Sequence, residues 1–519
     1  MKGIEQNIQK ARSVPGHCPI IMRLFVVVML FVSACSTLKP VQLPDEYTQT
    51  PSDASLWQSL EAVRSDNWFM LLNYGKNALD WRLMAIDSAV ESIDLQTFLW
   101  DFDTAGSLIL DRIVSAADRG VMIRILIDDT FLISKDPMLV ALADHPKIEY
   151  RVFNPFKYRA SGFVSRQFLN LNEFHRLDHR MHNKAMIVDN QIAIVGGRNL
   201  ADEYFGLHSE TNFRDLELLA GGPIVQEVSV SFDDYFNDDW SLPIDMVAHV
   251  EPNFVDLNSL RHLRNSEIYE YVDITPEARR RLWEEAVQEA FRGEALLFVD
   301  KPPVENPAAD SSAPVQLAVK MVDLLDDAEK EVLILSAYLI PSIDLEGAVE
   351  RAVQRGVTVR ILTNSIRSNN HLAAHSAYRK HINELMTDGA KLHEVRVDAQ
   401  DRHLYMLAPT NKKSLALHAK ALIIDGDKVF IGSANLDPRS LRLNTEMGLL
   451  VYSEALNADV RSIVERDFSQ ENSWDLQFDD GGNVIWVSGN VVLTSQPAES
   501  FMQRIEDWFF MHLPIEDEM

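Results

Sequence analysis

The stretch His182-Asn183-Lys184-Ala185-Met186-Ile187-Val188-Asp189 returns later in the chain as His418-Ala419-Lys420-Ala421-Leu422-Ile423-Ile424-Asp425. Positions 182 and 418 lie 236 residues apart, and so do Arg119-Gly120-Val121 and Arg355-Gly356-Val357, each of which opens a run ending in Arg-Ile-Leu. Two separate matches in one register indicate duplication of a whole domain. Each motif also extends alike: Gly196-Gly197-Arg198-Asn199 follows the first Asp as Gly432-Ser433-Ala434-Asn435 follows the second. His, Lys, Asp, Gly and Asn therefore recur with one spacing.

Both copies predict the same local structure. Ser92–Phe98 and Glu331–Ala337 are short β-rich runs. Amphipathic segments over 104–119 and 342–355 follow, stopped by Arg-Gly, and then buried strands over 121–127 and 357–363. This β-α-β order implies a parallel element in each half and an α/β fold class. The motif itself reads as a hairpin, with Asp-Asn-Gln and Asp-Gly-Asp as the turns. Side chains alternate along a strand, so His182 and Lys184 share a side, as do His418 and Lys420.

Those residue types suit phosphodiester chemistry. A phosphodiester's negative charge repels nucleophiles, so attack needs neutralisation and positioning. Lys184 and Lys420 supply positive charge. Asn199, Asn435 and Ser433 are candidate donors to the phosphoryl oxygens. A neutral His can attack phosphorus, giving a phosphohistidine, while a protonated one donates to the leaving alcohol. An acid on one ring nitrogen fixes the other towards the substrate. Asp215 and Glu446, in the strand after each Asn, are the candidate orienting acids. Asp189 and Asp425 complete the motif, and as turn formers they suit the hairpin better than contact with phosphorus. His371 and His375 have i,i+4 spacing but no third ligand nearby, which fits an ordinary helix face. The scheme needs no cofactor and no metal.

The 519 residues carry 49 Lys plus Arg against 77 Asp plus Glu, a formal charge of -28. Nucleic acid, which needs a basic footprint, is a poor partner for such a surface. The two cysteines, Cys18 and Cys35, lie outside the body and build no disulfide framework there. Met22-Arg23 precedes an apolar run, Leu24 to Val32, too short to span a bilayer, and then Ser33-Ala34-Cys35. This resembles a bacterial lipobox, which implies a signal peptide over 1–34, a lipidated Cys35 and a location in the cell envelope, membrane-anchored and facing the periplasm or exterior. The expected organisation continues with a tether over 35–55, a first domain over 56–255, a connecting segment over 256–315 and a second domain over 316–519. Phe501, Ile505, Trp508, Phe509 and His512 share one helical face, which predicts a docked C-terminal helix. A membrane-surface helix is the alternative, although the polar face is formed by Glu499, Glu506 and Asp507 and not by the expected Lys and Arg.

The paired motifs resemble the His-Lys-Asp motifs of the phospholipase D superfamily, and the chain is most similar to bacterial cardiolipin synthases of the C-type branch. Leu95-Gln96-Thr97-Phe98-Leu99-Trp100, Arg151-Val152-Phe153-Asn154-Pro155, Asp202-Glu203-Tyr204-Phe205-Gly206, Phe232-Asp233-Asp234-Tyr235 and Leu513-Pro514-Ile515-Glu516 carry the branch resemblance. The resemblance implies two similar phospholipase D-like domains about a pseudo-twofold axis, one site between them, and metal-independent chemistry. It implies His182 as nucleophile and His418 as general acid/base. The implied substrates are phosphatidylglycerol and phosphatidylethanolamine, with a helper protein left open. Gly197 stands where the second copy has Ser433, so the halves are chemically unequal. A hydrolytic phospholipase D uses the same residues. A nuclease is disfavoured by charge, and a non-catalytic lipid-binding lipoprotein would not need two intact motifs.

Overall fold

The computed structural model describes residues 38–48, 56–57, 66–160, 162–248, 269, 274–303, 316–369 and 371–512. The signal segment, Cys35, most of the Pro- and Ser-rich stretch over 301–314 and Leu513–Glu516 lie outside these residues.

The first half contributes β1 (Trp68–Leu72), β2 (Ser92–Thr97), β3 (Met122–Asp128), β4 (Ile148–Phe153), β5 (Ala185–Val188), β6 (Ile192–Gly196), β7 (Thr211–Arg214), β8 (Glu217–Gly221), β9 (Ser241–Pro243) and β10 (Phe291–Arg292). The second contributes β11 (Glu294–Val299), β12 (Glu331–Leu335), β13 (Thr358–Asn364), β14 (Lys391–Val395), β15 (Ser414–Leu417), β16 (Ala421–Ile424), β17 (Lys428–Gly432), β18 (Met447–Tyr452), β19 (Ser473–Phe478), β20 (Val484–Ser488) and β21 (Val491–Leu493). One sheet runs β10-β1-β8-β6-β5-β2-β3-β4-β9 and the other β11-β18-β17-β16-β12-β13-β14-β19-β20-β21. The predicted crossovers are present: β2 pairs parallel with β3 through helix Thr104–Asp118, and β12 with β13 through helix Ile343–Gln354. Asp103 and Ser342 cap these helices by accepting a backbone N–H three residues on.

Alternation along the strands explains the layering. Ile123, Ile125 and Ile127 face the outer helices of the first half, whereas Leu126 faces inward. Phe430 faces the helices of the second half, while Val429 and Ile431 face inward. One core joins the inner faces of both sheets, Ile187, Val195 and Leu218 meeting Ile423, Ile431 and Leu449. The order is helices, sheet, sheet, helices. The connecting segment supplies an edge strand to each sheet, because β10 pairs with β1 and β11, starting two residues later, pairs with β18.

Both motif hairpins form. Asp189, Asn190 and Asp425 have φ of 51°, the left-handed turn conformation. Both aspartate carboxylates bond to donors of the surrounding fold. Asp189 accepts the backbone N–H groups of Val90, Glu91 and Ser92 and the indole N–H of Trp57. Asp425 accepts those of Glu329, Lys330 and Glu331. Each carboxylate thus ties the far end of its hairpin to the start of the central parallel strand.

Helix Phe501–Met511 docks on helix Leu372–Thr387, but with its polar side inward. Asp507 is fully buried and accepts from Ser376 and Arg379, with the His375 Nδ1 at 2.9 Å. His375 therefore partners an acid of the C-terminal helix. The apolar face expected to pack is exposed: Phe501, Trp508 and Phe509 are more than half accessible. Among the described residues no helix is long and apolar enough to cross a membrane.

Removing a buried acceptor strands its donors at about 1–3 kcal/mol. Asp189→Ala should lower the apparent thermal midpoint more than Asp425→Ala, whose donors are more exposed, with turnover per folded molecule kept within a few-fold. Loss of turnover in a fully folded variant would instead place these aspartates in the chemistry.

Candidate active site

The site is assembled by strand pairing across the two halves. β15 pairs parallel with β7, placing Leu417 opposite Arg214. The next residues on the two strands are His418 and Asp215. On the other side Met181 bridges Thr445 in parallel, and the next residues are His182 and Glu446. Backbone bonds reinforce both joints, His418 N–H donating to Arg214 and His182 N–H to Thr445, each at 2.9 Å.

The consequence is a crosswise pairing of acid and imidazole. His182 Nδ1 sits 2.9 Å from both carboxylate oxygens of Glu446, in the other half. His418 Nδ1 sits 2.6 Å from Asp215 Oδ2, again in the other half. Neither half holds a complete set. With Nδ1–H donated to an acid, Nε2 of each ring is left for chemistry. Lys184 Nζ donates to the His182 carbonyl at 2.7 Å, and Lys420 Nζ to that of His418. Each lysine is therefore tied to the backbone of its motif His, in the segment just before the hairpin strand and not on the strand that the spacing predicted.

The supporting residues differ between the halves. Ser433 does not stand free for a phosphoryl group: it donates to Glu446 Oε2 and accepts from Met447 N–H. At the matching position a Cβ on Gly197 would lie 2.3 Å from Asp215 Oδ1. The first half thus pairs a short acid with a glycine, the second a longer acid with a serine. Arg198 is buried and donates to the carbonyl of Asp215. Asn199 Nδ2 donates to the Tyr204 hydroxyl at 2.8 Å, and its Oδ1 is buried without a partner. Asn435 lines the cavity beside His182.

Several positioning residues were not singled out from the sequence. Asp128 accepts the N–H of Met181, and Asn364 that of Leu417, so each grips the residue before a motif His. Positions 128 and 364 are also 236 apart, at the ends of β3 and β13, so the repeat itself was the available signal. Asp300 accepts Glu446 N–H and returns its own N–H to the Glu446 carbonyl. Tyr204 and Phe213 pack against the His418 ring, and Phe98 against His182. Aromatic flanks of this kind leave no short-range pattern to read.

Electrostatics in the site follow from burial. Burial pushes Lys184 down to about 7 and Lys420 down to about 8. Burial also raises Glu446 to about 7, against the pull of the lysines. Burial and then the two lysines hold His182 well below its ordinary value, and burial and Lys420 push His418 to about 3. Burial opposes ionisation of Asp215, but His418, Lys420 and Arg198 outweigh it and keep its carboxyl below the usual range. The shifts of Asp215 and His418 pull on one shared proton. The short contact between them is best satisfied by an ionised Asp215 accepting Nδ1–H from a neutral His418.

The cavity over His182 holds about 430 Å³. Phe98, Phe131, Phe174, Leu177, Tyr338 and Ile340 give it largely apolar walls, with Arg180, Arg439 and Asn435 at polar points. Among the described residues no group of three metal-ligating side chains occurs.

A cardiolipin synthase, phospholipase D-like domain model matches twice, over residues 83–240 and 321–468. Cardiolipin synthase C of Escherichia coli is 32% identical over 84% of this chain and 92% of its own length. Cardiolipin synthase 1 of Staphylococcus aureus is 25% identical over 76% of this chain and 66% of its own. The crystal structure of phosphatidylserine synthase from Haemophilus influenzae shares the fold, with a TM-score of 0.53, 14% identity, and coverage of 81% of this chain and 91% of that one. With two matched copies meeting in one crosswise site, the chain belongs to the phospholipase D-like family of cardiolipin synthases.

Proposed function

We propose that this protein makes cardiolipin, transferring a phosphatidyl group to the headgroup alcohol of phosphatidylglycerol through a phosphohistidine. The supporting observation is the pair of imidazoles, each held at Nδ1 by an acid of the opposite half, with His182 lining an apolar-walled cavity. His182 Nε2 attacks phosphorus, the bond to the donor headgroup oxygen breaks, and His418 gives that oxygen a proton. His418 then takes the proton of the acceptor alcohol, whose oxygen displaces His182 from phosphorus. Lys184 and Lys420 neutralise the phosphoryl oxygens. The phosphodiester in turn cancels the lysine repulsion that depresses both rings, so binding raises the pKa of the acid it needs. Asn435 donates to the same oxygens. A half-turn of the Asn199 amide, with Tyr204 donating in place of accepting, presents Nδ2 there as well.

The donor is phosphatidylethanolamine or a second phosphatidylglycerol, and the envelope anchor is an acylated Cys35. Mass spectrometry of lipids after incubation with phosphatidylglycerol, with and without phosphatidylethanolamine, tests the reaction. Cardiolipin should appear, with ethanolamine or glycerol released according to donor. His182→Ala should abolish it, and His418→Ala should cost about 10²–10⁴-fold. Phosphatidic acid as the only lipid product would make water the acceptor and the enzyme a hydrolase.

Ionised Glu446 accepts Nδ1–H more strongly than the neutral acid and stabilises a positive His182 ring, so the rate climbs as pH rises through about 7. It falls as the lysines, held at about 7 and about 8, lose their charge. The pH–rate profile should be a bell whose acidic limb follows Glu446 and whose alkaline limb follows the lysines, and Glu446→Gln should lower it and flatten its acidic limb. An unchanged limb would remove Glu446 from that role. Cys35→Ser should shift the protein from the membrane to the soluble fraction of cells; unaltered acylation-dependent fractionation would place the anchor elsewhere.

A further inference from the structure

Two apolar patches, one from each half, border the catalytic cavity. In the first half, helix Phe163–Leu169 and the turns after it expose Phe168, Leu169, Leu171 and Phe174. Gln167, Phe174 and Leu177 of the same region line the cavity. In the second half, His371 and Ala374 line the opposite wall, at the start of the helix that carries Phe501–Met511. That C-terminal helix exposes Phe501, Met502, Ile505, Trp508 and Phe509 as one stripe. At about 100° per residue, Gln503, Asp507 and Phe510 fall on the opposite side. Gln503 donates to the carbonyl of Ile366, and Asp507 is buried against His375, Ser376 and Arg379. The helix is therefore fixed by its polar side with its aromatic side turned out, the reverse of a helix that completes a core.

The start of the described chain identifies what covers this face. Leu38 N–H donates to Glu173, the residue between exposed Leu171 and Phe174. Cys35 lies three residues upstream, within a reach of about 10 Å of Leu38. An acyl chain on Cys35 would emerge beside the first patch and the cavity wall it shares.

We infer that a phospholipid bilayer docks on this face, the two aromatic patches entering its interfacial layer so that the cavity opens directly onto lipid. The inference rests on the phospholipid reading of the cavity and adds the surface through which substrate arrives. The one Lys or Arg of this helix, Arg504, donates to the carbonyl of Gln496, so attachment does not call on basic residues. Gln503 and Asp507 meet protein, not headgroups, and insertion of Trp and Phe seats the Cys35-anchored protein on the bilayer despite the net charge of -28.

The test uses the full chain with vesicles of phosphatidylethanolamine and phosphatidylglycerol containing acyl-brominated lipid. Bromine should quench tryptophan emission, and Trp508→Phe should remove part of the quenchable signal. An equal quenchable signal in Trp508→Phe overturns the proposal. Phe168→Ser/Leu171→Ser and Trp508→Ser/Phe509→Ser should each cut turnover of vesicle lipid about tenfold or more, with turnover of a short-chain donor dissolved as monomers unchanged. Parallel loss on both substrates overturns the proposal, since the patches would then serve the fold or the chemistry. So would unchanged vesicle turnover in variants that convert a dimer to a monomer, because a second copy would be the occupant. Quenching at Trp508 in a wild-type protein that turns over no phospholipid supports the docking face and strikes the proposed reaction alone.

Discussion

The structure depends on two hydrogen bonds that cross it: Glu446 to His182 and Asp215 to His418. Each links an imidazole to a carboxylate in the other half, and each lies one residue beyond a short parallel pairing between halves. A His that must be both basic and oriented needs a buried acid on Nδ1. Here the demand is met only if the sheets sit face to face in one register. Their shared core of Ile187, Val195, Ile423 and Ile431 is therefore part of the catalytic geometry as well as of the stability.

The burial that makes the pairs strong also sets their cost. Two lysines, two histidines and two acids are all nearly inaccessible. Burial destabilises every charge in the cluster, bringing Lys184 and Glu446 to about the same pKa from opposite sides. An anion between the lysines relieves that cost, so the site is arranged around a charge the protein itself does not provide.

Much of this was legible in the sequence. The repeat at one separation gave the two halves, the crossovers and the hairpins, because β-α-β units and turns are specified by local pattern. His182, Lys184, His418 and Lys420 follow from spacing alone. The partnering was not legible. Asp215 and Glu446 were recognisable as acids beside the strand after each Asn, yet which ring each serves depends on contacts between segments over two hundred residues apart. Ser433 resembled a phosphate donor because its neighbour Glu446 is invisible to a linear reading. The C-terminal helix shows the converse limit. Its apolar stripe is plain in the sequence, but a single buried acid, Asp507, decided which side faces inward.

The Gly197–Asp215 and Ser433–Glu446 combinations occupy equivalent places with different chemistry. Two identical chains meeting about a true twofold axis would have to carry one combination at both places, since every substitution appears twice. A fused, duplicated chain is free of that restriction. It can lengthen one acid and add a hydroxyl to steady it, while keeping the other short against a glycine. The proposed division of labour between the two rings would thus have a covalent origin: the symmetry was broken when the two halves came to be written as separate stretches of one sequence.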